Sequence, residues 1–253
     1  MHAAGIAART RCMSTPRFFV DQDLVVGRES ALPDRTLHHA HKVLRLRHGA
    51  PIVLFNGRGG EYDAVLDRRT GLALVQAHRP IDRESPLAIT LVQAWVVTSK
   101  LDWIVEKAVE LGVARMILVP TTRSVAKLTG DRLKLRIAHL RDVTISACVQ
   151  SGRTRIPSLN AAGTLEDGLT LAAHDATAVV LAPGATQSAA SVAGGAKRVA
   201  LAVGPEGGFD EAEMTLAARI GYRPAHLGPR ILRTETAGLV GLAHLQARAG
   251  DAQ

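Results

Sequence analysis

The chain has 253 residues, 47% of them hydrophobic, a net charge of +8 and a pI near 10.2. That length suits one large domain or two smaller ones with a true core. No apolar run approaches the length of a membrane-spanning helix, and two cysteines, Cys12 and Cys148, exclude a disulfide framework or an all-cysteine zinc site and fit a reducing cytosol.

The positive charge is carried by 25 arginines and only six lysines. Arginine grips phosphate bidentately and stacks on bases, so nucleic acid is the first partner to consider, with a merely basic enzyme as the other reading. Residues 1–13 carry two arginines and no acid; they read as a tail, with Met13 as a second possible start.

From 16 to 80 the apolar runs are short. "RFFV", "DLVVG", "APIVLFNG", "GEYDAVLD" and "LALVQAH" predict strands separated by Gly, Asn and Asp turns. One helix interrupts them, with Asp34 as N-cap, "RTLHHAHKVLRL" as its body and Gly49 beyond its end. Short strands with one helix suggest a small β-barrel. Arg28, Arg35, Lys42, Arg45, Arg47 and Arg58 concentrate positive charge there, and the spacing of His38, His39 and His41 fits surface histidines better than a metal site.

Residues 81–86 read as a linker, and the rhythm then changes. "LAITLVQAWVV" is a nearly continuous apolar strand, and "KLDWIVEKAVELG" places Ile104, Val105, Ala108 and Leu111 on one helical face. Strand "RMILVP", a helix near 130–149, strands "ATAVVLAP" and "RVALAVGP", helix "DEAEMTLAARIG", strand "AHLGP" and a last helix from Thr234 complete the order. Unbroken apolar strands alternating with helices predict an α/β fold with a parallel sheet covered on both faces. Four strands run into proline, at Pro120, Pro183, Pro205 and Pro229. Proline cannot extend a ladder, and ligands of open α/β sheets sit at the carboxyl ends of strands, so these ends are candidates for one pocket.

"GPEGGF" (204–209) ends a strand and precedes a helix that Asp210 and Glu213 would open as a capping box. Its glycines would let backbone approach a ligand, although a tight turn is the plain alternative. "RILRTETA" repeats the theme, with Thr234 able to cap the final helix and Arg230 and Arg233 close to Glu235 in sequence. No GxGxxG or GxxxxGK[ST] pattern occurs, which disfavours dinucleotides and nucleoside triphosphates.

"VGPEGGFDEAE" followed by "LGPRILRTETA" resembles the RsmE family of 16S rRNA uridine-N3 methyltransferases, within the SPOUT class. "STPRFFV", "HKVLRLRHG", "FNGRGGEY", "SKLDWIVEKAVELGV" and "QSGRTRIP" extend the likeness over nearly all of 14–248. One position departs: Val149 stands where the family has glutamate before "QSGR". The resemblance implies a PUA-like RNA-binding barrel over 14–80 and a SPOUT domain over 87–248 with a C-terminal trefoil knot. It also implies a cytoplasmic homodimer, 16S rRNA of the small ribosomal subunit as partner, no metal, and S-adenosylmethionine as cofactor. The implied cofactor residues are Leu181, Ala182 and Pro183 on one strand end, and Gly204, Pro205, Glu206, Gly207 and Gly208 on the next. Leu227, Gly228, Arg230, Ile231 and Leu232, with Thr236 and Ala237, complete the set.

Methylating uracil N3 requires loss of its proton, which leaves negative charge on the ring oxygens. Arg17 or Arg233 are the candidates for meeting that charge, and Glu206 for base or orienter. Lys42, Arg45, Lys100 and Arg153 are the candidates for gripping RNA. The rival readings are another SPOUT enzyme acting on tRNA or a ribose 2′-hydroxyl, and a non-catalytic RNA-binding protein of ribosome assembly.

Overall fold

The computed structural model describes residues 15–124 and 128–252. The expected tail at 1–13, with Cys12 and Met13, lies outside the described residues. The chain divides into two compact units, the first ending at Ile81 and the second beginning at Asp82.

In the first unit, β1 (Arg17–Phe19), β2 (Glu29–Ala31), β3 (Pro51–Phe55), β4 (Glu61–Asp67) and β5 (Leu72–Arg79) form one sheet in the order β1-β3-β4-β5-β2. Only β1–β3 is parallel. Alternation along β3, β4 and β5 turns Ile52, Leu54, Ala64, Leu66, Ala73 and Val75 to one side, where they meet Phe18, Leu24, Leu32 and Ala40. The expected barrel is thus an open sheet in its pairing, with β1 and β2 at the edges. The expected strand at "DLVVG" is a turn instead. Gly27 takes φ +83° and donates to the Val75 carbonyl (2.8 Å), which leaves Val25 and Val26 exposed.

The expected helix also differs. Pro33, not Asp34, is its N-cap, and α1 (Asp34–His38) widens into one π turn over His39–Val43. Leu44 N donates to the His39 carbonyl (3.0 Å), and Arg45 at φ +53° ends the helical path before Gly49. The wider turn lets Leu37, Ala40 and Leu46 all reach the same core.

In the second unit, β6 (Ala88–Ala94), β7 (Arg115–Val119), β8 (Ser158–Ala161), β9 (Thr177–Leu181), β10 (Arg198–Val203) and β11 (Arg223–Ala225) form a parallel sheet, order β11-β9-β10-β6-β7-β8. Its helices are α2 (Thr98–Glu110), α3 (Gly130–Ser151), α4 (Leu165–Ala173), α5 (Ala189–Ala193), α6 (Glu211–Ile220) and α7 (Thr234–Ala249). β8, α4 and α5 carry no clear signal in the sequence: β8 is a half-exposed edge, and α4 has a glycine at its centre. That glycine is there for packing, because a Cβ on Gly168 would fall 2.2 Å from Val119 Cγ1.

Both faces are covered. Leu165 and Leu169 of α4 and Ala217 of α6 pack on Val92, Ile117, Val119, Val180, Ala200 and Ala202, beside the buried Tyr222. On the other face α7 lies close to β10: a Cβ on Gly241 would fall 2.8 Å from Leu201 Cδ2. Burying a leucine-sized side chain contributes about 1.5–3 kcal/mol, so two such faces dominate the stability of this unit. Among the described residues no helix is long and apolar enough to cross a membrane.

The segment expected as a linker is fastened to the second unit. Asp82 pairs with Arg155 (3.5 Å), Arg83 donates to the Gly152 carbonyl (2.9 Å), and Ser85 donates to Gln246 Oε1 (2.6 Å). Glu84 is held at both oxygens by Arg153, whose Nη1 also donates to the carbonyls of Val109 (3.0 Å) and Val113 (2.9 Å). Arg153 is only 4% exposed, and this corrects its place among the RNA-gripping residues: its guanidinium is spent inside the fold.

Candidate cofactor-binding site

Sheet order sets the carboxyl ends of β11, β9 and β10 side by side. The loops that leave them, carrying Pro229, Pro183 and Pro205, line a cavity of about 700 Å³. That volume lies within the range of small-molecule and cofactor sites.

The loop after β10 is set by glycine. Gly208 sits at φ +68° and donates to the Pro205 carbonyl (2.9 Å), closing a turn. Gly204 has no room for a side chain, since its Cβ would meet Phe209 N at 3.0 Å and Gly208 C at 3.1 Å. Arg123 Nη1 donates to the Gly207 carbonyl (2.7 Å) and braces the turn from outside. The capping box forms: Glu213 N donates to Asp210 Oδ1 (2.8 Å), and Asp210 N to Glu213 Oε2 (2.9 Å). The other oxygen of Glu213 accepts from Thr122 N (2.7 Å), so one carboxylate fixes two loops.

The loop after β11 is held to its neighbours. Ala182 N donates to the Ala225 carbonyl (3.0 Å), and Gly228 N to His226 Nδ1 (3.0 Å). Thr234 does not cap α7; Arg233 occupies the N-cap without a side-chain bond. The Thr234 hydroxyl instead donates across to the Gly204 carbonyl (2.5 Å) and accepts from the buried Gln93 Nε2 (3.3 Å). This contact ties the two glycine-proline loops together, and its donor is a residue the sequence reading took for a helix cap.

Charge gathers at one side of the cavity. Lys100, in the first turn of α2, lies 3.2 Å from Glu206 Oε1 and 3.3 Å from Glu235 Oε2. Hydrogen bonding to Glu206, then to Glu235, outweighs partial burial and holds the Lys100 ammonium above the usual lysine range. Burial works to raise the Glu235 carboxyl, but its own backbone N–H and Lys100 outweigh it and hold it below the usual range.

Of the residues expected at the cofactor, Leu181, Ala182, Pro183, Gly204 to Gly208, Leu227, Gly228, Arg230, Ile231, Leu232 and Ala237 all line the cavity, and Thr236 does not. Glu206 and Arg233 line it too. Sequence reasoning did not place Lys100, Val203, Phe209, Met214, Ala225, His226 and Thr234 there. Most of these adjoin the quoted loops and could have been found by extending each by a residue or two. Lys100 could not, because it comes from a helix a hundred residues away. Lys42, on the π turn of the first unit, and Arg45, just past its end, are both exposed. Arg17 pairs with Glu61 (3.1 Å) and stacks on the Phe55 ring (4.7 Å), while Glu61, only 3% exposed, also pairs with Arg79 (3.0 Å).

Residues 83–246 match a family described as an RNA methyltransferase domain, and 32–73 one described as an RNA methyltransferase PUA domain. A ribosomal RNA small subunit methyltransferase E from Mycobacterium bovis is 31% identical over 89% of this chain and 88% of its own length. A Legionella pneumophila structure in complex with the bound cofactor SAM is 32% identical, with a TM-score of 0.89 over 94% of this chain and 99% of that one. A ribosomal RNA small subunit methyltransferase E from Neisseria gonorrhoeae, bound to S-adenosyl methionine, is also 32% identical, with a TM-score of 0.86 over 95% of this chain and all of that one.

Proposed function

This chain belongs to the ribosomal RNA small subunit methyltransferase E family, and we propose that it methylates N3 of a uridine in 16S rRNA with S-adenosylmethionine as the donor. The observation that carries the reading is the cavity formed by two glycine-proline loops that Thr234 ties together. When bound, S-adenosylmethionine supplies a methyl group on a positively charged sulfur.

The residues present fit that group. Leu181, Val203, Leu227 and Leu232 offer apolar surface for an adenine ring, and the backbone of 204–208 and 227–232 offers hydrogen-bonding groups without intervening side chains. Glu206 brings a carboxylate to the lining, suited to a cationic ligand.

The chemistry then asks for alignment and charge placement. Glu206 is the acceptor or orienter for the N3 proton, and the exposed Arg233 offers positive charge at the mouth. Lys42 and Arg45 serve the RNA backbone, and the target base must leave its stack to enter the cavity. We extend the reading to an RNA-binding domain over 14–80, a SPOUT domain over 87–248 with a trefoil knot through 204–234, and a cytoplasmic homodimer acting on the small subunit.

Incubating the purified protein with small subunits or free 16S rRNA and S-adenosylmethionine, followed by nucleoside mass spectrometry, tests the proposal. N3-methyluridine is expected. A mark found only at a ribose 2′-hydroxyl or only on tRNA would replace the substrate, and absence of S-adenosylmethionine binding by calorimetry would leave only an RNA-binding protein.

A further inference from the structure

Three cations border the cavity: Lys100, Arg230 and Arg233. Both arginines are exposed, and among the described residues no ion pair holds either one in place. Lys100 differs. It springs from the first turn of α2, its side chain is 29% exposed, and it is fixed between a carboxylate of the 204–208 loop and one of α7. The charges of α3 that face α2 are engaged elsewhere: Arg136 with Asp102 and the Thr98 carbonyl, His139 with Asp102. The groups that act on the Lys100 ammonium are therefore Glu206 and Glu235, with Arg233 adjoining Glu235.

A charge fixed before the reaction stabilises a developing charge far better than one that must be gathered during it. An ammonium has three N–H donors, and Glu206 and Glu235 leave at least one for a third oxygen. We propose, building on the uridine-N3 reading above, that Lys100 is a catalytic residue that receives the negative charge appearing on the uracil ring oxygen as N3 loses its proton. The N3 proton passes to the Glu206 carboxylate. The lone pair left on N3 forms the bond to the methyl carbon, and the carbon–sulfur pair returns to sulfur. Before and during the step, the group of Lys100, Glu235, Glu206 and uracil keeps the same summed charge. One carboxylate is neutralised as the ring becomes anionic, so Lys100 exchanges one anionic partner for another. Its ammonium stays protonated throughout the neutral range and cannot itself serve as the base.

Single-turnover methyl transfer by Lys100→Met, followed across pH, tests this. The rate should fall about 100-fold to 1,000-fold at neutral pH, the usual cost of losing one preorganised donor. It should keep rising with pH beyond the point where the parent protein levels off. Substrate RNA carrying 5-fluorouridine, whose N3 is more acidic, should recover much of the loss. S-adenosylmethionine affinity by calorimetry should be little changed, and the melting temperature should fall only by the small amount that partly exposed ion pairs contribute. Equal rates with equal pH profiles would overturn the proposal. So would loss of cofactor binding, which would make Lys100 part of the cofactor grip, and so would a uniform loss that 5-fluorouridine does not relieve. Should Lys100→Met fail to fold, Glu235→Gln, which removes a negative charge from beside Lys100, must displace the same profile toward acid, and an unmoved profile sinks the idea. If the parent protein makes no N3-methyluridine, the underlying uridine-N3 reading fails instead.

Discussion

The loops at the ends of β9, β10 and β11 and the basic segment Asp34–Gly49 are both surface features, yet they are built in opposite ways. In the loops, backbone conformation and cross-loop bonds fix the main chain: Gly204 is packed against Phe209, Thr234 holds Gly204, Glu213 holds Thr122, and Arg123 holds Gly207. In the basic segment, Lys42 on the π turn and Arg45 and Arg47 just beyond it are exposed side chains. A site made of backbone should fail sharply at single positions. A surface made of charge should fade by small, additive, salt-dependent steps.

The largest expected effect belongs to a residue the sequence assigned to the wrong side of that contrast. Arg153→Met should destabilise the protein by about 2–5 kcal/mol in urea unfolding, because the Val109 and Val113 carbonyls and the partly buried Glu84 would lose their donor. The salt dependence of RNA binding should stay as it was. A fall of that slope with unchanged stability would return Arg153 to the RNA surface.

Next comes Gly204→Val, which should weaken S-adenosylmethionine binding by about 100-fold or more, or about 2.7 kcal/mol, by calorimetry. Gly208→Ala provides the sharper comparison. Its Cβ would meet nothing within 4 Å, so the left-handed conformation alone should cost about 1–2 kcal/mol. Equal effects at both glycines would show that the close approach at Gly204 does not shape the cavity.

Thr234→Val should cost about 1–3 kcal/mol of stability, by leaving the Gly204 carbonyl and Gln93 short of a partner, and should weaken the cofactor through the loosened loops. Unfolding against pH probes the same loops more gently. Asp210, lowered mainly by the Glu213 backbone N–H, and Glu235 both sit below the usual carboxylate range. The stability they contribute is present at neutral pH and lost as pH falls through their folded-state values. Lys100 is raised, so its contribution disappears only as pH climbs past the ordinary lysine range. Glu235→Gln should flatten the acid limb of the melting curve.

The smallest effects should come from Lys42→Ala and Arg45→Ala. Each should weaken RNA binding a few-fold at low salt, lower the salt slope by about one, and leave the cofactor alone. An all-or-none loss from either would erase the contrast between the two regions.

These differences also explain what was legible in the sequence. Contiguous signals carried well: the long apolar strands β6, β7, β9 and β10, the Asp210–Glu213 capping box, and the loops at 204–208 and 227–232 declare themselves in residue order. Signals that depend on what lies opposite did not. Gly168 in α4 reads as a helix breaker until Val119 is seen against it. Thr234 reads as a cap until its hydroxyl is found on Gly204. Arg153 and Lys100 read alike as basic residues, but Arg153 is buried on Glu84 and two carbonyls, whereas Lys100 stands between two carboxylates at the cavity. Charge type is written in the sequence, but its partner is settled only by packing.

The fastening of Asp82–Ser85 bears on how such chains can be recombined. Four successive residues grip Arg155, Gly152, Arg153 and Gln246, so this stretch behaves as the first stave of the downstream domain rather than as spare tether. A chimera that grafts a foreign recognition module onto this catalytic half should therefore splice upstream of Asp82. Cutting one turn later would strip the socket into which Arg153 plugs.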